Sequence, residues 1–429
     1  MSAIKAESKR SRAFAELILT SFGRKSIVDS GPRNLTDTNV LVDVLKDRLH
    51  VLVTCLSHSW GGLEQVSASD AIDIGDLGLD VSVLCLEGSP IHEDLLNRKE
   101  VKVLPLGFRP RNYFDFKMRA EMGRLLAHGI NLVHCHQTSI LGSIVPWVWS
   151  KPNVAVIATR HMMNQHNKNN PFHSAIYSRL DALIVMSETL RQNVLETHPI
   201  LERRVKVVNL GLDFNRFNPQ AVNGLAQRAL WGAGPETVVI GVVGRIDPAK
   251  GQATFIKAAA GLLKGLKSGE KLKFVIVGEE TLGSVNSHLE SLKEMVAQFR
   301  MEEYVTFAGY QENVPEVMSG LDIFVMPSRQ ETFGLVAIEA MAMERPVVIS
   351  SGGSAQEIVG ENEEFGLLIR PDDAFDLQRR LRYLLDNPEE RVRMGQKARG
   401  HVLRNYDRVT RVRKTLELYE RALRRRGNP

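Results

Sequence analysis

Cysteine is scarce: Cys55, Cys85 and Cys135 are the only three in 429 residues, each alone in an apolar run, and none forms a C-x-x-C pair. No small disulfide-stapled framework can be built from them, and this usage points to a reducing compartment. Long hydrophobic runs are missing too. The longest, such as Val238 to Val243, suit single buried strands and fall short of the roughly 18 to 20 residues that cross a bilayer. The basic N-terminus has an apolar segment at Leu17, Ile18 and Leu19, but Glu16 interrupts it and it is too short for the core of a signal peptide, so a cytoplasmic location is expected. Repeats and low-complexity tracts are absent. With 43% hydrophobic residues, 24% charged, 33 Gly and 17 Pro the composition is that of a globular protein, and 429 residues predict at least two packed units.

What is there begins with an uneven charge. The net charge is +5, yet positions 391–429 hold 13 Lys+Arg against 3 Asp+Glu, a local +10, so the remainder sums to −5. A basic terminal helix has two readings: a solvated face that aids solubility, or a contact with an anionic partner. Positions 1–48 form a polar, basic extension with short amphipathic patterns at Phe14, Leu17, Ile18 and Phe22 and at Leu41, Val44 and Leu45, which read as docking helices or as a loose segment.

From Val51 onward apolar runs of strand length alternate with helical patterns, the texture of parallel strands joined by crossover helices, so the fold class is α/β. Strands are expected at His50 to Cys55, Val81 to Cys85, Val101 to Leu104, Leu132 to Cys135, Val154 to Ala158, Ala182 to Met186 and Val205 to Val208. A second series is expected at Val238 to Val243, Lys273 to Val277, Val305 to Phe307, Ile323 to Met326, Pro346 to Ile349 and Gly366 to Leu368. Two doubly wound Rossmann-like domains follow, spanning 49–215 and 216–405, with a basic helix over 406–429. The joint is expected where Asn, Pro and Gly gather between Phe214 and Gly234. Ligands of such sheets bind at the carboxyl ends of the strands, so domains facing across a cleft would enclose a substrate there.

The stretch PSRQETFGLVAIEAM, Pro327 to Met341, reads as a strand end, a loop, an N-cap at Thr332 and a helix from Phe333. The amides of Phe333, Gly334 and Leu335 would then face an anion at the helix N-terminus, with Gly334 allowing close approach. Glu331 and Glu339, eight apart, suit a sugar hydroxyl and a ribose; alternatively one carboxylate complements the helix dipole and the other is a surface residue. After the second series' first strand comes GRIDPAKG, where Gly244 precedes Arg245 and Lys250, two cations around a turn that suit a diphosphate. A solvated loop is the plainer reading. The string is neither G-x-G-x-x-G nor a P-loop, which weakens nicotinamide, flavin, kinase and ATPase readings.

GRIDPAKG, ETFGLVAIEAM and VISSGGSAQE (Val348 to Glu357) together resemble the retaining glycosyltransferase family 4, also called group 1. So do SHSWGGLEQ (Ser57 to Gln65), NLVHCH (Asn131 to His136), ATRH (Ala158 to His161) and NLGLDFNRF (Asn209 to Phe217). The resemblance implies the GT-B fold, two Rossmann-like domains facing across a cleft. It implies that Arg245 and Lys250 bind the donor's diphosphate, that Glu331 contacts the donor sugar, and that the amides after it meet sugar and phosphate. Glu339 would hold the nucleotide ribose, Gly61 and Gly62 would let amides approach the phosphates, and backbone groups near Gly309 and Tyr310 would recognise the base. His161 resembles the histidine that bonds to the donor sugar near the reacting carbon, although a strand-end histidine is commonly structural. The family's Asn-Gly at the domain crossing is Leu210-Gly211 here, which keeps a backbone turn and loses an amide contact.

The implied activity is transfer of a sugar from a UDP- or GDP-sugar to an acceptor hydroxyl with retention of configuration, in envelope polysaccharide, lipopolysaccharide or glycolipid assembly. The nucleotide-sugar is a substrate, and no cofactor, metal or nucleic acid is expected. The acceptor is a carbohydrate or a lipid-linked molecule, which a basic helix resting on the inner face of an anionic membrane would meet; the family's last helix also packs back on the first domain, which accounts equally for Leu416, Tyr419 and Leu423. Competing readings are a GT-B phosphorylase or nucleotide-sugar epimerase, and a non-catalytic nucleotide-sugar-binding relative. His134 and His136 share one face at a strand end, but a third metal ligand is not evident in the sequence. The Asn- and His-rich stretch His161 to His173 reads as an acceptor-side loop or simply as an exposed one.

Overall fold

The structure is a computed structural model that describes residues 37–110, 115–280 and 287–427. The pattern at Phe14 to Phe22 lies outside them. Every expected strand is present, with ends moved by a residue or two. In the first unit β1 (His50–Cys55), β2 (Asp80–Leu86), β3 (Lys102–Leu106), β4 (Leu132–Cys135), β5 (Ala155–Arg160), β6 (Ala182–Val185) and β7 (Val205–Val207) make a seven-stranded sheet in the order β3-β2-β1-β4-β5-β6-β7. In the second, β8 (Thr237–Val243), β9 (Lys271–Val277), β10 (Val305–Gly309), β11 (Ile323–Met326), β12 (Val347–Ser350) and β13 (Leu367–Ile369) make a six-stranded sheet in the order β10-β9-β8-β11-β12-β13. All pairings are parallel. Helices cover both faces of such a sheet, which is why its strands are apolar runs of Val, Ile and Leu rather than alternating ones.

Each order reverses once, between β1 and β4 in the first sheet and between β8 and β11 in the second. Crossover helices leave to opposite faces at that point, and a crevice opens beyond the strand ends. The loops that follow β1 and β4, and those that follow β8 and β11, are therefore the ones placed for function.

The chain does not divide at 215/216 as expected. The first unit holds the described residues to Met186, then Leu190–Val208 and the residues from Val409 on; the second holds Ser187–Thr189 and Asn209–Arg408. Backbone pairing explains the shift: Leu212 N–H donates to Tyr406 O at 2.8 Å and Leu212 pairs with Asp407, which fastens the connection to the second unit and carries that unit past 405 to Arg408. At Leu210-Gly211, where a turn is expected, the backbone forms neither a turn nor a bend, and Leu212 follows in its bridge to Asp407. Ser187–Thr189 join the second unit because Glu357 accepts from the amides of Glu188 at 2.8 Å and Thr189 at 2.7 Å.

Two further boundaries are corrected. Positions 37–48 are not a separate extension: the helix Asp37–Lys46 belongs to the first unit, with Leu45 and Leu49 buried in its core. The helix Arg408–Arg425 buries Leu416, Tyr419 and Leu423 in that same core, so its apolar stripe packs on the first unit while Lys414, Arg421, Arg424 and Arg425 stay exposed. Among the described residues no helix is long and apolar enough to cross a membrane.

Candidate functional site

In the second unit, the loops after β8 and β11 meet at the switch point. Gly244 ends β8 with its amide bonded to Val277 O at 2.9 Å. Asp247 caps the short turn Pro248–Lys250 by accepting from Ala249 N–H at 2.9 Å, and it also takes Arg245 at 3.2 Å. Arg245 is otherwise exposed, its guanidinium free to meet a phosphate. Gly251 has φ 74°, and a Cβ there would stand 2.1 Å from Pro327 O, so only glycine lets the two loops touch. Arg329 N–H donates to Ala249 O at 3.0 Å and closes the junction. Lys250 Nζ, carried on this junction, donates to Glu331 Oε1 at 2.6 Å.

The helix that follows begins later than expected. It spans Leu335–Ala342, and its N-cap is Gly334 rather than Thr332. Gly334 is left-handed, with φ 78° and ψ 42°, and a Cβ there would come within 2.8 Å of Ile358 Cδ1. A residue locked in that conformation cannot continue a helix backwards, so Thr332 is left outside it, where its carbonyl accepts from Ser187 Oγ at 3.2 Å. Phe333 is buried edge-on to Tyr406, with ring centroids 5.8 Å apart, and the amides that open the helix are those of Leu335 and Val336. The helix N-terminus expected at Phe333 thus lies two residues further on, at Leu335. Glu339 lies just over one turn inside and is half-buried, not a surface carboxylate; burial pushes its pKa up to about 7, and Arg216 pulls it partly back. Tyr310 is exposed, its amide donating to Glu279 Oε1 at 3.3 Å beyond the left-handed Gly309.

In the first unit, Gly61 caps the helix Gly62–Asp76, but its amide already donates to Glu64 Oε2 at 2.9 Å, which leaves Gly62 as the glycine at the first helical position. His161 follows β5 and is nearly buried. Burial, with Arg411, His134 and Arg160 adding their charge, pushes its pKa down to about 3, so the ring is neutral at physiological pH. His161 Nε2 meets His136 Nδ1 at 3.3 Å. The loop that starts there is shorter than expected, because Asn170 caps a helix Pro171–Ser178 by accepting from His173 N–H at 2.9 Å.

Behind His161 lies a group that the sequence does not disclose. Asp70, from the helix after β1, comes together with His134 and His136, potential ligand atoms of all three lying within 4.8 Å of one another. Asp70 is thus the third ligand type that was not evident. Its oxygens are engaged, however, by Arg411 Nε at 2.9 Å and Nη2 at 2.7 Å. His134 is engaged at both nitrogens, by Tyr419 Oη and Thr159 Oγ1, each at 2.7 Å. A guanidinium on the carboxylate and hydroxyls on the imidazole make this a buried hydrogen-bond network, with the positive charge a metal ion would bring already present. No motif could reveal it, since Asp70 and Arg411 are 341 positions apart.

The structure thus places Arg245, Lys250, Glu331, Gly334, Leu335 and Glu339 beyond the carboxyl ends of β8 and β11 in the second unit, and Gly61, Gly62 and His161 beyond the carboxyl ends of β1 and β5 in the first. Comparison with known proteins bears on the family and the fold. The family described as Glycosyltransferase Family 4 matches residues 60–216, and Glycosyl transferases group 1 matches residues 226–401. A D-inositol 3-phosphate glycosyltransferase of Nocardia farcinica is 31% identical over 326 residues, 76% of this chain and 69% of that protein. The lipopolysaccharide core biosynthesis mannosyltransferase LpsB of Rhizobium meliloti is 34% identical over 196 residues, 46% of this chain and 52% of its own length. The crystal structure of Anabaena HepE with UDP and glucose superposes with a TM-score of 0.72 at 19% identity, covering 87% of this chain and 99% of that one. Two parallel Rossmann-like sheets and matches that run through both units place this chain among the group 1 glycosyltransferases of family 4, with the GT-B fold.

Proposed function

We propose that this glycosyltransferase moves a hexose from a UDP- or GDP-sugar to an acceptor hydroxyl with retention of anomeric configuration. The observation that carries the reading is the Lys250–Glu331 contact at the junction of the β8 and β11 loops, beside the amides of Leu335 and Val336. An ammonium has three donors, so Lys250 can hold Glu331 and still reach a phosphate, which sets a sugar-facing carboxylate next to a diphosphate-binding cation. Arg245 supplies a second, exposed cation. Breaking the bond from the sugar carbon to phosphate sends its electron pair to the diphosphate, and these cations with the helix N-terminus stabilise that charge. The acceptor oxygen bonds to the sugar carbon on the same face, and its proton passes to a leaving phosphate oxygen. His161 bonds to the donor sugar. Neither a metal nor a cofactor is needed, so activity survives dialysis against EDTA.

UDP with glucose in the Anabaena protein, and the lipopolysaccharide role of the Rhizobium one, favour a nucleotide-sugar donor and an envelope carbohydrate or lipid-linked acceptor here. The enzyme works in the cytoplasm at the inner face of the membrane, the exposed cations of Arg408–Arg425 resting on anionic lipid; absence of co-sedimentation with anionic vesicles at low salt rejects that contact.

The deciding experiment is a melt of the purified protein with UDP-, GDP- and ADP-sugars, followed by product analysis with the donor that shifts it. Ligand at 100 times its Kd stabilises the native state by about 2.7 kcal/mol. An acceptor-dependent product with the donor's own anomeric configuration upholds the proposal. An inverted product overturns retention, while a sugar phosphate or an epimer formed without acceptor identifies a phosphorylase or epimerase. A shift without turnover identifies a non-catalytic binder.

A further inference from the structure

Six side chains behind His161 are more ordered than a histidine needs merely to pack. Asp70 is buried, and Arg411 takes both of its oxygens. His136 is fully buried, and its Nε2 makes no hydrogen bond but faces Asp70 Oδ2 at 3.6 Å. A lone pair aimed at a carboxylate in a dry site is repelled, whereas an N–H is attracted, so the proton of neutral His136 sits on Nε2. Its Nδ1 is then an acceptor only. The atom that meets Nδ1 is His161 Nε2, at 3.3 Å, and two lone pairs cannot face each other, so His161 carries its proton on Nε2. That leaves His161 Nδ1 as a lone pair, and none of the described residues bonds to it. His134, locked between Tyr419 and Thr159, lies with its ring 4.3 Å from the His136 ring, tilted by 42°, and keeps it from turning over.

We infer that Asp70, held by Arg411, fixes the tautomer of His136 and through it that of His161, so that His161 offers an acceptor nitrogen, not an N–H, to the ligand. Asp70 and His136 are positioning residues, and Arg411 ties their geometry to the helix Arg408–Arg425. The ligand group that this nitrogen selects is a hydroxyl that donates. A carboxylate or phosphate oxygen in its place would meet a lone pair and be rejected. The inference rests on the proposed role of His161 at the donor sugar.

The test is the protonation pattern of the ring nitrogens, read by long-range proton–nitrogen correlation in the full chain labelled with nitrogen-15 histidine, at neutral pH and without substrate. His161→Gln assigns the His161 signals. The expected result is His161 protonated on Nε2 in the wild type, with Nδ1–H gaining population in Asp70→Asn and in His136→Gln. A wild-type His161 protonated on Nδ1, or ring shifts of His161 unchanged in Asp70→Asn, overturns the inference. Should Asp70→Asn fail to fold, the double variant D70N/R411M, which removes both partners of the buried pair, carries the same comparison. In the transfer assay the folded Asp70 variant loses about ten- to a hundredfold in kcat, as when an outer partner of a functional histidine is lost, with the donor KM little changed. Full turnover in His161→Ala would instead remove His161 from the sugar site and leave the tautomer result standing, so the two failures are distinct.

Discussion

Lys250 and Glu331 oppose each other at 2.6 Å although 81 positions separate them, and each constrains what the other can do. Lys250→Ala removes a phosphate donor and frees Glu331 to swing, so the donor KM rises and kcat falls. Glu331→Ala leaves the cation in place and lowers kcat by about 10²–10³, the scale of losing one preorganised polar group, with an unchanged melting curve. Wild-type kinetics in both variants would remove the pair from the site. Glu339 gives a second expectation. Its folded pKa of about 7 exceeds the ordinary 4.5, so the fold holds a proton that the unfolded chain releases, and stability declines as pH rises between those values. Glu339→Gln cannot ionise; its melting temperature, relative to wild type, should stand higher at pH 8 than at pH 5. The two glutamates and two cations were legible because each lies in one short loop with its neighbours. Asp70 was not, because its meaning depends on Arg411, which only folding brings near.

At the scale of elements, continuous Val, Ile and Leu runs announce strands buried on both faces, and all the strands, from β1 to β13, are where such runs lie. Helix starts are harder to read. Thr332 has the right chemistry for an N-cap and loses the position to Gly334, a left-handed position where Ile358 and Met326, residues of other elements, leave no room for a side chain. The domain joint is displaced for a similar reason, because Leu212 finds its backbone partner at Tyr406. The helix Arg408–Arg425 shows what such remote partners are worth. Arg411→Ala strands Asp70 as a buried, uncompensated charge and should destabilise the first unit by about 3–5 kcal/mol in urea denaturation. Replacing both residues by leucine should lose much less than the sum of the single changes; additive losses would mean that the pair is not coupled.

For the molecule as a whole, acid should be the weak point of the first unit. Burial holds His134 down to about 4, His161 down to about 3, and His136 well below its usual value. Each is neutral when folded and takes a proton when unfolded, so the stability they contribute is complete above the ordinary histidine pKa of 6.5 and is lost as pH falls below it. Melting curves between pH 7 and pH 4 should show the unit containing His161 destabilised first, and His134→Gln should flatten that slope. Equal slopes in wild type and variant would exclude the histidines as the cause.

The return of Arg408–Arg425 to the first unit also sets an order of events during synthesis. Asp70 leaves the ribosome 341 residues before Arg411, which at roughly 5–20 residues per second is about 20–70 s. Through that interval the first sheet lacks Val412, Leu416, Tyr419 and Leu423 from its core, and the Asp70 carboxylate lacks its cation. The second unit, continuous from Asn209 to Arg408, has all its strands before the first is complete. The half of the enzyme that is translated first is therefore the half that matures last, and in the nascent chain it is the half that offers chaperones an unfinished apolar face.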